Sequence, residues 1–289
     1  MRGLLEYDKP LAEFTSWRVG GPGKRVYQPA DKEDLENFLK TIPKEEPLLF
    51  LGLGSNTLIS DEGFQGTVII TQGHLNALTL LSPLEVRAEA GVACAQAARF
   101  AARASLTGIE FLAGVPGTVG GALAMNAGCF GGETWDHVAW VETVDRQGQT
   151  HRREPQEYDI AYRTVKGPQE EWFTAAVFRL TPGDKEESLG KIRSLLDRRT
   201  ATQPTSEPSC GSVFKNPPQD YSARLIEAAG LKGYQIGGAM VSPKHANFIV
   251  NEGHATAKDI EALITHVQNT VEKIHGILLE HEVRIIGKG

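Results

Sequence analysis

Between Gly114 and Gly128 the chain carries five glycines in fifteen residues, GVPGTVGGALAMNAG, and no other stretch limits the possible folds as strongly. A glycine costs roughly 0.5–1 kcal/mol relative to alanine inside a helix or strand. A turn between strands accounts for three of them. Five, with a trailing run of small residues, point to main chain passing very close to a ligand. A second loop, Gly52-Leu53-Gly54-Ser55-Asn56, follows a strand-like run over Leu48–Leu51. It lacks the third glycine and the following helix of a dinucleotide fingerprint, and it lacks the Gly-Lys-Ser/Thr of a Walker loop. What remains is a tight hairpin turn or a nest of main-chain amides, with Ser55 and Asn56 as further donors to phosphate oxygens. Two such loops in one domain suit a long cofactor with two phosphates.

Bulk properties exclude several other classes. A net charge of −6 gives no nucleic-acid footprint. The eight histidines form no metal-like spacing, and no metal site is expected. Cys94, Cys129 and Cys210 are few, odd in number and far apart, as in a reduced cytoplasmic protein. The N-terminus is interrupted by acids too early for a signal peptide. No apolar run approaches the roughly 18 residues of a membrane span. A cytoplasmic monomer is expected.

The periodicity predicts an α+β chain with strands in the middle and helices at both ends. Asp31 and Asp34 cap a helix that Pro43 stops, and strands are expected at 48–51, 67–70, 84–91, 138–145 and 173–180. An alanine-rich helix is expected over 94–106, closed by Gly108. Asp184 and Glu187 open another helix, with Leu189, Ile192, Leu195 and Leu196 on its buried face. Residues 200–210, rich in Thr, Ser and Pro, read as a linker. Beyond it come a short helix closed by Gly230, a strand near 246–251, a helix over 256–275 and a final strand, EVRII. The stripe of the last helix is Ile260, Leu263, Ile264, Val267, Val271 and Ile274.

Pro208-Ser-Cys-Gly-Ser-Val-Phe-Lys-Asn-Pro217 supplies reactive groups: a Ser212 hydroxyl on a flexible turn, with the cation Lys215 and the amide Asn216 close behind. Together with TSWRVGGP (15–22), LGLGSN (51–56), GVPGTVGGALAMNAGCFG (114–131), YRTV (162–165), AGLKGYQIGGAMVSPKHANFIVN (229–251) and EHEVRIIG (280–287), this stretch resembles the UDP-N-acetylenolpyruvoylglucosamine reductase family. The segments occur in the family's order along nearly the whole chain. The resemblance implies a two-subdomain FAD-binding fold of the vanillyl-alcohol-oxidase (PCMH-type) class, followed by a C-terminal α+β substrate domain. The corresponding segments are 1–66, 67–203 and 204–289, with the last strand able to return to the FAD part.

It also implies the activity: reduction of UDP-N-acetylglucosamine enolpyruvate with non-covalent FAD and with NADPH as hydride donor, in peptidoglycan precursor synthesis. Ser212 matches the proton donor, Arg163 the active-site arginine and Glu282 the C-terminal carboxylate; Lys215 and Asn216 fall on substrate-binding positions. FAD contacts are expected at Arg18, Gly52, Gly54, Ser55, Asn56, Thr57, Gly114, Pro116, Gly117, Thr118, Gly120, Gly121, Asn126 and Gly128. The sequence departs from the family at Thr202, where a lysine is frequent, and Arg198, Arg199 or Lys215 is the expected substitute. The short span after Arg163 resembles the second, shorter type of the family. Two rivals stand beside this reading: an FAD-dependent sugar or alcohol oxidase of the same fold, and a redox-inactive nucleotide-sugar-binding regulator.

Overall fold

The structure, a computed structural model, describes residues 1–287. The chain forms two compact units that interleave in sequence: residues 1–7, 25–53 and 66–198, and residues 8–24, 54–65 and 199–287 among those described.

The first unit is built on a five-stranded antiparallel sheet. Its strands run in the spatial order Thr150–Arg153, Val138–Asp145, Glu171–Arg179, Glu85–Glu89 and Leu78–Ser82. Helix α1 spans Lys32–Leu39, α2 Cys94–Arg103, α3 Val119–Met125 and α4 Lys185–Thr202. The main core joins Val86, Ala88, Val141, Ala176 and Phe178 of the sheet to Ala97, Ala98, Ala101 and Ala102 of α2 and to Val119, Ala122 and Leu123 of α3. Alanines on the buried face let α2 lie close to the sheet. A second core gathers Tyr27, Leu35, Phe38, Leu39 and Ile69, with Tyr27 stacked on Phe38 at 3.6 Å between ring centroids. In the same unit Leu48–Leu51 pairs in parallel with residues 67–70, from Leu48 opposite Thr67 to Leu51 opposite Ile70.

Two acids are buried there: Glu110, and Asp34, which was expected to share the helix cap but leaves it to Asp31. Asp34 lies in the first turn of α1 and accepts hydrogen bonds from the Arg2, Gly3 and Ala30 main-chain N–H groups and from the Tyr27 hydroxyl. Glu110 accepts from the Thr107 hydroxyl, the Gly108 N–H and the Ser188 hydroxyl. It thereby ties α4 to the 3-10 turn Glu110–Gly114 that opens the long glycine loop.

The second unit packs α5 (Ser222–Ala228) and α6 (Ala257–His275) with a three-stranded antiparallel sheet, Gln235–Ile236, Ala239–Val241 and Ile249–Asn251. Trp17 is fully buried in this core, and its Nε1 donates to Ile249 O at 2.7 Å. The last strand, Arg284–Ile286, runs parallel to Thr57–Ile59.

Several sequence expectations hold, and the departures have local causes. Thr256 caps α6 with a full capping box, and Gly276 ends it at φ 69°. Helix α2 stops at Arg103 rather than running to 106, because Leu106–Thr107 pairs with Thr181–Pro182. Ile274 is 54% exposed in the last turn of α6 and drops out of the expected stripe. Helix α4 continues to Thr202, inside the stretch read as linker.

Candidate active site

In the first unit the long glycine loop is fixed by main-chain bonds. Cys94 N donates to Gly117 O, Val119 N to Val92 O and Gly120 N to Ala90 O, each at 2.9 Å. Thr118 caps α3 by accepting from Gly121 N. The loop's glycines have different reasons. A Cβ on Gly120 would come within 2.8 Å of the Ala90 Cβ, and one on Gly114 within 2.8 Å of Cys129 Sγ. Those two serve close packing of the protein on itself. Gly121 is exposed, and a Cβ there would meet nothing nearer than Thr118 Oγ1 at 3.7 Å. Its lack of a side chain is therefore not required by the protein, as expected where a ligand lies against the backbone. A Cβ on Gly52 would run into Thr118 Oγ1, so the short and long glycine loops meet at this point. Pro116, on the rim of the long loop, is exposed.

Arg163 arrives from the turn of a small hairpin, Asp159–Ala161 paired with Thr164–Lys166. Its backbone is left-handed, at φ 53°. Strain of this kind in a non-glycine residue gathers at functional sites. The guanidinium donates to Asn126 O at 3.3 Å and to Gly128 O at 2.7 Å. The structure thus brings Arg163 to the far end of the long glycine loop. Asn126 is 1% exposed and forms the αL C-cap of α3.

In the second unit the Thr15–Gly20 region and the start of Gly54-Ser55-Asn56 come together. Ser16 N donates to Gly54 O at 3.2 Å, and Gly54, at φ 62°, packs on Phe14 and Thr15. Arg18 is exposed, at φ 58°. Asn56 Nδ2 donates to Glu282 O at 3.0 Å, and Thr57 lies opposite Arg284 in the parallel pair.

The Ser212 turn is positioned by groups that sequence reasoning missed. Gly211, at φ 76°, makes the bend. Val213 N donates to Asn247 O at 2.9 Å, Phe214 N to Asn247 Oδ1 at 3.0 Å, and Asn247 Nδ2 to Phe214 O at 2.8 Å. Glu282 N donates to Val213 O at 2.8 Å, so Ser212 and Glu282 lie on neighbouring segments. Burial raises the Cys210 thiol well above its ordinary value, and the Glu282 charge adds to the effect. Lys215 forms an ion pair with Glu280 at 3.6 Å, and Asn216 Oδ1 accepts from Ser222 N at the start of α5. Asn247 lies in a segment that carries the family resemblance, yet nothing in HANF announces a buried amide paired with a distant backbone.

A cofactor with two phosphates fits these features. Among the described residues, no hydrogen bond engages the main-chain N–H of Gly52 or Leu53 in the first unit, or of Gly54 or Ser55 in the second. Such donors suit phosphate oxygens.

Known proteins share this organisation along the full chain. The UDP-N-acetylenolpyruvoylglucosamine reductase of Legionella pneumophila (strain Corby) is 58% identical over 287 residues, covering 99% of this chain and 93% of that protein. The chain belongs to the UDP-N-acetylenolpyruvoylglucosamine reductase family. The reductase of Methylococcus capsulatus is 56% identical over 99% of this chain and 94% of its own length. The crystal structure of the family member from Thermus caldophilus superposes with a TM-score of 0.84 at 35% identity, covering 99% of both chains. Residues 23–153 match the FAD binding domain, and residues 203–286 match the C-terminal domain of the reductase family. The first match contains both glycine loops, and the second contains Ser212, Lys215, Asn216 and Glu282. The expected α+β fold, an FAD-binding part followed by a reductase C-terminal domain, is the fold of this chain.

Proposed function

We infer that this chain reduces UDP-N-acetylglucosamine enolpyruvate to UDP-N-acetylmuramate, with FAD as cofactor and NADPH as electron source. The observation that carries the reading is kinship over 99% of this chain with reductases of that name. Segments 1–66 and 67–203 would hold the flavin and segment 204–289 the nucleotide sugar. The flavin positions are those of the resemblance other than Asn126, whose amide is engaged by protein at both ends: Arg18, Gly52, Gly54, Ser55, Asn56, Thr57, Gly114, Pro116, Gly117, Thr118, Gly120, Gly121 and Gly128.

When bound and reduced, FAD would supply the hydride for the methylene carbon of the enolpyruvyl ether. Negative charge then builds on the adjoining carbon and its carboxylate. Arg163 holds that carboxylate, because a guanidinium offers two parallel donors. One well-placed donor of this kind contributes about 2.7–4 kcal/mol to the transition state. Ser212 gives its proton to the carbon next to the carboxylate, completing addition of hydride and proton across the double bond. Among the described residues its hydroxyl makes no hydrogen bond, consistent with a group that acts on a ligand. Glu282 orients the enolpyruvyl group or relays the proton back to Ser212. Lys215 and Asn216 bind substrate, and the Asn216 amide nitrogen donates to nothing among the described residues.

Half-reaction kinetics test the assignment. The pure protein should be yellow, bleached by NADPH and recoloured by the enolpyruvyl nucleotide sugar. Ser212→Ala should still be bleached by NADPH and lose recolouring by several orders of magnitude. Equal losses in both half-reactions would make the serine structural. Colour retained in an acid precipitate would favour the oxidase reading with covalent flavin, and a colourless protein the regulator.

A further inference from the structure

The Arg163 guanidinium rests on two carbonyls outside its own hairpin, Asn126 O at the end of α3 and Gly128 O in the short strand Gly128–Cys129. Such acceptors locate a charge only if something fixes them, and Asn126 does so twice. Its αL backbone, at φ 47° and ψ 55°, turns its carbonyl out of the helical direction at the end of α3. Among residues with a side chain, asparagine adopts this conformation most readily. Its side chain then spans three segments. Oδ1 accepts from Trp135 N at 3.2 Å, while Nδ2 donates to Glu133 Oε2 at 2.8 Å and, at 3.4 Å, to Ala161 O.

The second carbonyl is held by the same frame. Gly128–Cys129 pairs with Gly132–Glu133 in a tight hairpin that sets Gly128 opposite Glu133. Thr134 closes its base, donating from both N and Oγ1 to Ala127 O. Through Glu133, the Asn126 amide is therefore joined to the strand that carries Gly128. Through Ala161, it is joined to the last residue before the Tyr162-Arg163 turn.

We propose that Asn126, braced by Glu133, is a positioning residue for Arg163: its amide locks the two acceptor carbonyls that set where the guanidinium points. The role differs from the flavin contact expected at Asn126, and it agrees with a side chain that is buried and engaged at both ends of its amide. The inference rests on the reading of Arg163 as the group that binds the enolpyruvyl carboxylate. A misplacement of about 1 Å in such a group costs on the order of a hundredfold in rate.

The experiment is a double-mutant cycle read in the two half-reactions of the flavin-loaded protein. Asn126→Gly keeps the left-handed backbone accessible and removes only the amide. It should retain flavin and be bleached by NADPH at the wild-type rate, while maximal recolouring by the enolpyruvyl substrate falls about 10- to 100-fold. Asn126→Gly with Arg163→Ala should recolour no more slowly than Arg163→Ala alone, because residues acting as a unit are not additive. Glu133→Ala should repeat the Asn126→Gly defect, and Glu133→Gln, which keeps a carbonyl acceptor, should restore most of the rate. Should Asn126→Gly fail to fold, the two Glu133 variants carry the same comparison.

Loss of flavin on Asn126→Gly would make it a cofactor contact, and equal slowing of both half-reactions a purely structural residue. Additive losses in the cycle would show independent roles. Each of these overturns the proposal. If Arg163→Ala itself recolours normally, the assignment of Arg163 fails first. If Arg163→Ala is slow while Asn126→Gly and Glu133→Ala are normal, only the positioning role fails.

Discussion

Gly121 is a glycine that packing of the chain on itself does not require. It sits inside α3, exposed, with room for a methyl group as far as the chain is concerned. Gly121→Ala should therefore raise the stability of the flavin-free protein by roughly 0.5–1 kcal/mol, the usual helix gain. The same substitution should weaken flavin retention, measured as the FAD dissociation constant. Unchanged flavin affinity would remove Gly121 from the cofactor surface. Asp34 is a residue-scale feature of another kind. Desolvation is the largest influence on its carboxyl and pushes upward, but donors from Tyr27, Arg2, Ala30 and Gly3 outweigh it and hold the group at about 2. A carboxyl depressed in the folded state stabilises above its unfolded value, near 4, and that contribution disappears as pH falls towards 2. The shift corresponds to about 2 kcal/mol. Denaturant unfolding should show the stability gap between wild type and Asp34→Ala narrowing between pH 5 and pH 2. A gap that stays constant would mean that the carboxylate charge is not what those donors recognise.

At the scale of elements, short segments gain their geometry from partners far away in sequence. The turn carrying Ser212 is pinned by Asn247, 33 residues from Phe214, through a reciprocal amide pair. Asn247→Ala leaves Phe214 N and O without those partners in a buried setting, which should cost on the order of 2 kcal/mol. It should also slow recolouring of the flavin more than bleaching, because only the former uses Ser212; equal slowing would confine Asn247 to a folding role. Elements with strong local signals were readable in advance, as in α6 with its Thr256 cap, a stripe of which five of the six expected residues are buried, and its Gly276 stop. Helix α3 was not, because two adjacent glycines in Val119–Met125 argue against a helix on propensity. Thr118 capping and burial of Val119, Ala122 and Leu123 override that preference. The hairpin 159–166 escaped notice for a related reason: three-residue strands carry too little alternation to be seen.

For the molecule as a whole, membership of the family supports FAD as the cofactor. A ligand bound only by the native form stabilises it by about 2.7 kcal/mol at a concentration one hundred times its dissociation constant. Added FAD should thus raise the melting temperature of deflavinated protein in a dose-dependent way, and NADPH alone should not reproduce the gain. Absence of any shift with FAD would contradict the cofactor assignment. Among the described residues, no helix is long and apolar enough to cross a membrane.

By itself the sequence determined the order of the glycine loops and the elements whose period and caps are local, because those depend on residues a few positions apart. Only the tertiary structure decided which glycines face protein and which face outward, that Asp34 and Glu110 are buried hubs, and that Asn126 and Asn247 bond to backbone beside the turns carrying Arg163 and Ser212. Those facts depend on hydrogen bonds between distant backbones, and a main-chain donor or acceptor leaves no mark in the identity of its residue.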